Sequence, residues 1–230
     1  LHRVIYATDA SAYREMPLAV VYPKDSDDVK ACVRFARENK ITLIPRAAGT
    51  SLAGQVVGDG LVVDISRYMN RILEVNEREH WVSVEPGVVL DELNLYVKPF
   101  GLFFGPETST SNRCCMGGMV GNNSCGSHSL VYGSTREHLL EATVVLSNGE
   151  EIVLRGMTPG EVEERMTLDT LEGEIYRNMI RVLQSHGKEI IEHFPDPALR
   201  RRNSGYAIDQ LLYSDYFDKN YSGHFNLCKL

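Results

Sequence analysis

The sequence predicts an α+β chain in which small mixed sheets carry flanking helices, and three patterns predict it. Apolar residues at the start recur first with the period of a strand and then with the period of a helix. The middle holds four short β-branched or alternating segments separated by glycine-rich or charged turns. The remainder is mainly helical after one hairpin.

Taken in order, residues 18–23 (LAVVYP) read as a strand. Residues 25–40 follow as a helix, with Asp25 or Ser26 as N-cap, acids in its first turn, and Val29, Cys32, Val33 and Ala36 on one face. ITLIP, LVVDIS, RILEV and HWVSVEP are the four short strands. Residues 88–101 (VVLDELNLYVKPFG) form a second amphipathic helix, with Leu90, Leu93 and Val97 at helical spacing and Pro99 and Gly101 closing it. Residues 102–133 are dense in Gly, Ser, Thr and Asn, show little periodicity and read as a long loop; such a loop in a compact domain is usually either functional or a misread element. ATVVLSNGEEIVL reads as a hairpin with Asn148 and Gly149 at the turn. Residues 174–186 read as a helix that turns Ile175, Met179, Val182 and Leu183 inward and ends on Gly187 as C-cap.

The 230 residues are enough for one large domain or two modest ones. A formal net charge of −7 argues against a broad nucleic-acid or membrane-surface footprint, so a bound anion must be held locally. Five cysteines, odd in number and including the vicinal pair Cys114 and Cys115, argue against a disulfide framework and for a reducing, cytoplasmic compartment. No apolar run reaches the roughly 18 residues of a membrane span, and the start has no signal-peptide pattern.

Two stretches carry the chemistry. PRAAGTSLAG (residues 45–54) leaves an apolar strand for small side chains and two glycines. Its amides near residues 48–52 and the hydroxyls of Thr50 and Ser51 suit a phosphate nest; a tight strand-to-strand connection accounts for the same residues equally well. It lacks the lysine of a Walker-type loop and the GxGxxG of a dinucleotide fingerprint. The second stretch joins PETSTSN (106–112), CMGGMVGNNSCG (115–126) and YGSTRE (132–137), where Met116, Met119, Val120 and Cys125 interleave with four glycines. Flat, donor-rich walls of this kind suit a planar, polar, phosphate-bearing ligand.

These motifs, together with LVVDISRYMNRILEVN, WVSVEPGVVLDELN and ATVVLSNGE in that order, resemble the FAD-binding domain of the vanillyl-alcohol oxidase/p-cresol methylhydroxylase (PCMH) superfamily of FAD-linked oxidases. The nearest branch is the D-lactate, glycolate and D-2-hydroxyglutarate dehydrogenase type. The resemblance implies a PCMH-type fold of two α+β subdomains, residues 1–84 and 85–158, with residues 159–230 as a helical extension leading toward a substrate or cap domain. It implies that Arg46, Ala47, Ala48, Gly49, Thr50, Ser51 and Leu52 form the pyrophosphate loop. It implies further that Pro106, Glu107, Thr108, Ser109, Ser111, Asn112, Cys115, Met116, Gly117 and Gly118 wrap the ribityl and flavin portion, supported by Asn123, Gly126, Tyr132 and Gly133.

Members that bind FAD covalently place a His in or beside the pyrophosphate loop or a Cys six residues before the paired glycines; here Ala47, Ala48 and Ser111 stand there, so non-covalent FAD is expected. The implied reaction is oxidation of a small 2-hydroxy acid by hydride transfer to flavin, with electrons passed to an unassigned acceptor, through an iron–sulfur region downstream in long members related by RRNSGYAIDQLL. In the family a segment like FNLCKL runs into GSEGTLG and then a cap with the metal or base histidines, so the expectation is an N-terminal portion without its catalytic base. An inactive FAD-binding module and a reductase of the UDP-N-acetylenolpyruvylglucosamine type are the alternatives. Cys114, Cys115, Cys125 and His128 offer zinc-type ligands, but without paired CxxC hooks they read as packing and hydrogen-bonding residues. Arg200, Arg201 and Arg202 are a solvated turn or an anion contact, and Glu85-Pro86-Gly87 is either a cofactor contact or a strand end turning into a helix.

Overall fold

The computed structural model describes residues 1–199 and 205–230, so the arginine run at 200–202 and the start of RRNSGYAIDQLL lie outside the described residues. The chain divides into two compact units, residues 1–135 with 147–149 and residues 136–146 with 150–230.

The first unit opens with a single helical turn, α1 (His2–Ile5). Its sheet is built on LVVD, whose four residues are all buried; a continuous apolar run suits a strand covered on both faces. This strand, β3 (Leu61–Asp64), is the middle of a parallel sheet ordered β1-β3-β2, with β1 (Ala19–Val21) and β2 (Leu43–Arg46) on either side. Val21 pairs with Val63, and Arg46 with Asp64, so the carboxyl ends of all three strands lie together. Helix α2 (Ser26–Glu38) links β1 to β2; the Asp25 carboxylate accepts from the Asp28 amide at 3.0 Å, which selects Asp25 over Ser26 as the cap.

A second, antiparallel pair joins β4 (Ile72–Asn76) to β5 (Trp81–Val84). Helix α3 (Leu90–Val97) packs Leu90, Leu93 and Val97 with Val88, Cys114, Met116 and Met119 in a core flanked by Ile72, Val75, Val82 and Val84. Lys98–Phe100 tightens to a 3-10 turn and Gly101, left-handed at φ +70°, ends it. The 102–133 region is not a bare loop: it contains α4 (Met116–Gly121) and α5 (Ser129–Tyr132). Helices this short carry no periodicity that a sequence reading can detect, and α4 exists because Met116 and Met119 reach the core below it.

After α6 (Thr135–His138), the second unit is built on a hairpin, β6 (Glu141–Val145) and β7 (Glu151–Arg155), with Gly149 at φ +86° in the connection. Helix α7 (Pro159–Met166) starts on a reciprocal capping box between Thr158 and Glu161. Helix α8 runs Leu171–His193 and passes straight through Gly187. The expected C-cap there is therefore corrected: Ile190 beyond it packs on the core, which outweighs the cost of roughly 1 kcal/mol for a helical glycine. Val182 is corrected as well; it faces solvent, while Tyr176, Ile180 and Leu183 fill the core with Met157, Val162, Leu211 and Phe225. Among the described residues, no helix is long and apolar enough to cross a membrane.

Candidate functional site

Every residue expected to touch a cofactor lies in the first unit. Beyond β2 the chain rises off the carboxyl end of the sheet. The Arg46 guanidinium turns back beneath this loop: Nη2 donates to the Thr8 carbonyl at 2.9 Å, Nη1 to that of Tyr6 at 3.4 Å, and Cζ lies 5.0 Å from the Tyr6 ring centre. Gly49 is left-handed at φ +65°, and a Cβ on it would come within 2.7 Å of Arg46 Nη2. Its carbonyl accepts from the Ala10 amide at 3.1 Å, so the chain preceding β1 braces the turn. Among the described residues, the amides of Gly49, Thr50, Ser51 and Leu52 donate to no partner, while the Ala48 amide is engaged by Cys115 Sγ. Ser51 Oγ donates to Gln55 Oε1, and Gln55 in turn donates to Asn122 Oδ1 at 3.3 Å. Leu52 is exposed.

The glycine pair of the second stretch comes up against this loop. A Cβ on Gly118 would meet Ala47 Cβ at 3.2 Å, and one on Gly117 would meet Pro86 Cβ at 2.6 Å. The Gly117 amide donates to the Pro86 carbonyl at 2.8 Å and the Met116 amide to Val88 at 2.9 Å, which fixes the start of α4 on the segment that follows β5. Gly87 has its own reason: a Cβ there would lie 2.7 Å or less from the carbonyls of Met69 and Ile65. Glu85-Pro86-Gly87 is thus a strand end that turns into α3 and serves as the floor for Gly117. The Glu85 carboxylate, bound bidentately by Arg71 (Nη2 to Oε1 at 2.7 Å, backbone N to Oε2 at 2.7 Å), is held below the usual carboxylate range by that guanidinium.

A second group forms around residues 105–108 and 126–133. A Cβ on Gly126 would fall 1.5 Å from the Glu107 carbonyl oxygen, and one on Gly105 2.7 Å from Tyr132 Cγ. Glu107 Oε2 pairs with His128 Nδ1 at 2.5 Å, and the Tyr132 ring meets Phe103 edge-on at 5.2 Å. Gly133 is left-handed at φ +77° and Asn123 at φ +43°. Thr108 Oγ1 lies 3.3 Å from Cys114 Sγ, tying this group to the vicinal cysteines, and the Asp91 amide donates to the Ser111 carbonyl at 3.1 Å. Pro106 and Met116 are buried, whereas Ser109 and Asn112 are exposed.

Two groups beneath the loop are held in their protonated forms. Burial first, then the neighbouring Cys114, push the Cys115 thiol up to about 11. The Tyr6 hydroxyl donates to Asp64 Oδ2 at 2.5 Å; burial and that carboxylate hold it well above the ordinary phenol range. Asp64 Oδ1 accepts from the Ser66 amide at 2.8 Å and from Ser66 Oγ at 2.6 Å. Ser129 Oγ and Asp9 Oδ2 are buried with no partner among the described residues. Among those residues, no group of three or more His, Cys, Asp or Glu side chains is arranged to hold a metal ion. A run of unused amides behind a left-handed glycine, with alanines and glycines on its flanks, fits a phosphate-bearing group. Tyr6, Thr8, Ala10 and Asp64, which hold this loop from below, were missed by the sequence reading; backbone carbonyls, a backbone amide and a buried carboxylate give no local signal of that role.

Residues 17–155 match the model of the FAD binding domain family, more than half of the chain. The chain belongs to that family. As an FAD-binding domain it is 41% identical over 216 residues to D-2-hydroxyglutarate dehydrogenase of Pantoea ananatis, covering 93% of this chain and 21% of that protein. It is 41% identical over 228 residues to the same-named protein of Pseudomonas putida, covering 98% and 22%. Glycolate oxidase subunit GlcD of Bacillus subtilis is 33% identical over 162 residues, covering 70% of this chain and 34% of that one. The chain spans about a fifth of the length of the dehydrogenases it matches. Among solved structures, alkyldihydroxyacetonephosphate synthase superposes with a TM-score of 0.60 at 21% identity, covering 68% of this chain and 31% of that one. 6-Hydroxy-D-nicotine oxidase of Arthrobacter nicotinovorans superposes with 0.57 at 24%, covering 65% and 32%. At such identities these two support the PCMH-type fold alone.

Proposed function

We propose that this FAD-binding domain is part of a flavin-dependent oxidoreductase that oxidises a small 2-hydroxy acid. The observation that carries the reading is the meeting of two motifs far apart in sequence: the open amides of residues 49–52 and the glycine pair at 117–118, brought side by side at Ala47. The match to D-2-hydroxyglutarate dehydrogenases supports the substrate class.

When bound, FAD supplies a two-electron acceptor for the hydride of the substrate α-carbon. The residues of this chain hold it. The amides of Gly49, Thr50, Ser51 and Leu52 would take the diphosphate oxygens, and the Thr50 hydroxyl, which has no hydrogen-bond partner among the described residues, would add a donor. Residues 106–112 and 115–118 would line the ribityl and flavin portion, with Asn123, Gly126, Tyr132 and Gly133 behind them. Residues 1–84 and 85–158 would then act as the two halves of the FAD fold. Buried Met116, Met119 and Cys115 exclude water from beneath, and the raised Cys115 pKa keeps that thiol neutral beside the phosphates. Ala47, Ala48 and Ser111 offer no nucleophile of the kind that covalent members use, which supports a cofactor held by contacts alone. We assign no residue of this chain as the base for the substrate hydroxyl. An acceptor reached through an iron–sulfur region and a cytoplasmic setting complete the reading; the odd cysteine count supports the latter.

Anaerobic titration of the flavin-loaded full-length protein with a panel of D-2-hydroxy acids tests this. The visible flavin absorbance is expected to bleach with at least one of them. No bleaching with any of the panel, or bleaching by NADPH instead, overturns the substrate class.

A further inference from the structure

Arg67 stands at the carboxyl end of the parallel sheet, three residues beyond β3. Its guanidinium carbon lies 5.0 Å from the ring centre of Tyr22, which directly follows β1, and 5.4 Å from that of Tyr68. Tyr22 is itself fixed, edge-on to Tyr6 at 6.1 Å and to His2 at 6.2 Å. The guanidinium is therefore braced by two rings, yet it makes no hydrogen bond or ion pair among the described residues. The nearby carboxylate in sequence, Asp64, is already satisfied by the Tyr6 hydroxyl, the Ser66 amide and the Ser66 hydroxyl.

The loop after β2, on the same end of the same sheet, poses a matching deficit. It offers amide dipoles to an anion, but Arg46, the cation in it, is turned onto the carbonyls of Thr8 and Tyr6. A protein of net charge −7 has no general positive field to neutralise a phosphate, so the counter-charge must be local. A guanidinium stacked on aromatic rings keeps its edge donors free in a fixed fork that suits two oxygens of one oxyanion, and its restricted motion lowers the entropic cost of binding. Crevices at the carboxyl ends of parallel strands are where such groups bind.

We propose that Arg67 is the cationic partner of a phosphate site at this end of the sheet. Tyr22 and Tyr68 act as its positioning residues. The ligand chemistry is a phosphate oxyanion from one of two sources, the diphosphate of a dinucleotide or free phosphate; the first source rests on the FAD reading.

The test is calorimetric titration of the purified chain and its Arg67→Gln variant with FAD, ADP, riboflavin and inorganic phosphate, with thermal unfolding of both as a check on folding. The proposal expects Arg67→Gln to weaken FAD and ADP by about tenfold while riboflavin, which lacks the diphosphate, is unaffected. Loss of inorganic phosphate binding with FAD and ADP unchanged supports the site and assigns it to the free anion. Equal affinities of variant and parent for all three phosphate-bearing ligands overturn it. If the parent binds ADP or phosphate but not FAD, the FAD reading fails while Arg67 is still decided by the other arms. Should Arg67→Gln not fold, Tyr68→Ala, which keeps the charge and removes one brace, is expected to weaken ADP about threefold; an unchanged ADP affinity there overturns the proposal.

Discussion

Residues 47–54 and residues 105–126 are both rich in glycine and small polar side chains, and both belong to the same unit, yet their glycines answer to different physics. In the first stretch Gly49 is needed for its backbone angle: at φ +65° it turns the chain so that the next amides are left without internal partners. The three atoms nearest its missing Cβ all belong to the end of the flexible Arg46 side chain. In the second stretch Gly117 and Gly126 have ordinary angles, and what they lack is room. Backbone or proline atoms stand 1.5 to 2.6 Å from where a Cβ would be. Among the described residues one loop leaves its amides unpaired and the other packs its glycines against its own chain, so glycine content alone does not say which of the two a stretch does.

Substitutions sharpen that contrast. The largest effect is expected at Gly126→Ala: a carbonyl oxygen 1.5 Å from the new methyl cannot move without displacing the 105–108 backbone, and unfolding free energy should fall by about 3 kcal/mol or more. Urea denaturation measures it, and wild-type stability would mean that the two segments are not in contact as described.

Gly49→Val should behave otherwise. The left-handed angle costs an L-residue about 1–2 kcal/mol, so the chain stays folded, but FAD affinity should drop at least about tenfold as the amide run is lost. Gly49→Asn, which tolerates that angle, should recover most of the affinity in the same flavin titration. A valine variant with unchanged FAD affinity would return the loop to a plain strand connection.

The smallest effect belongs to Gly121→Ala. Among the described residues, no atom beyond its chain neighbours and its own helix backbone lies within 4 Å of its Cβ position, and its angle is helical, so stability should change by less than about 1 kcal/mol, toward stabilisation, with FAD affinity untouched. A large loss in either measurement would show that α4 faces something the first unit alone does not supply.

Much of this molecule is written locally. The cap of α2 at Asp25 or Ser26, the buried run LVVD, the amphipathic face of Leu90, Leu93 and Val97, and the hairpin around Gly149 all follow from side-chain period and turn chemistry, which act within a few residues. The order of the motifs was enough to suggest the FAD-binding family, because each motif is itself a short sequence. Where a local rule was applied alone it misled: Gly187 looked like the end of a helix, but Ile190 found the core one turn later and the helix continued.

What only the tertiary structure decided is which small residues pack against distant backbone and which leave their amides unpaired. That Ala47 meets Gly118, that Gly126 lies against Glu107, and that Arg46 is engaged from below while Arg67 keeps its donors are all contacts between segments distant in sequence. A missing Cβ and an unused amide leave the same letters in the sequence whether the neighbouring space holds backbone, solvent or cofactor. The parallel sheet brings three strand ends together and the packing of distant segments does the rest, and no residue carries that information by itself.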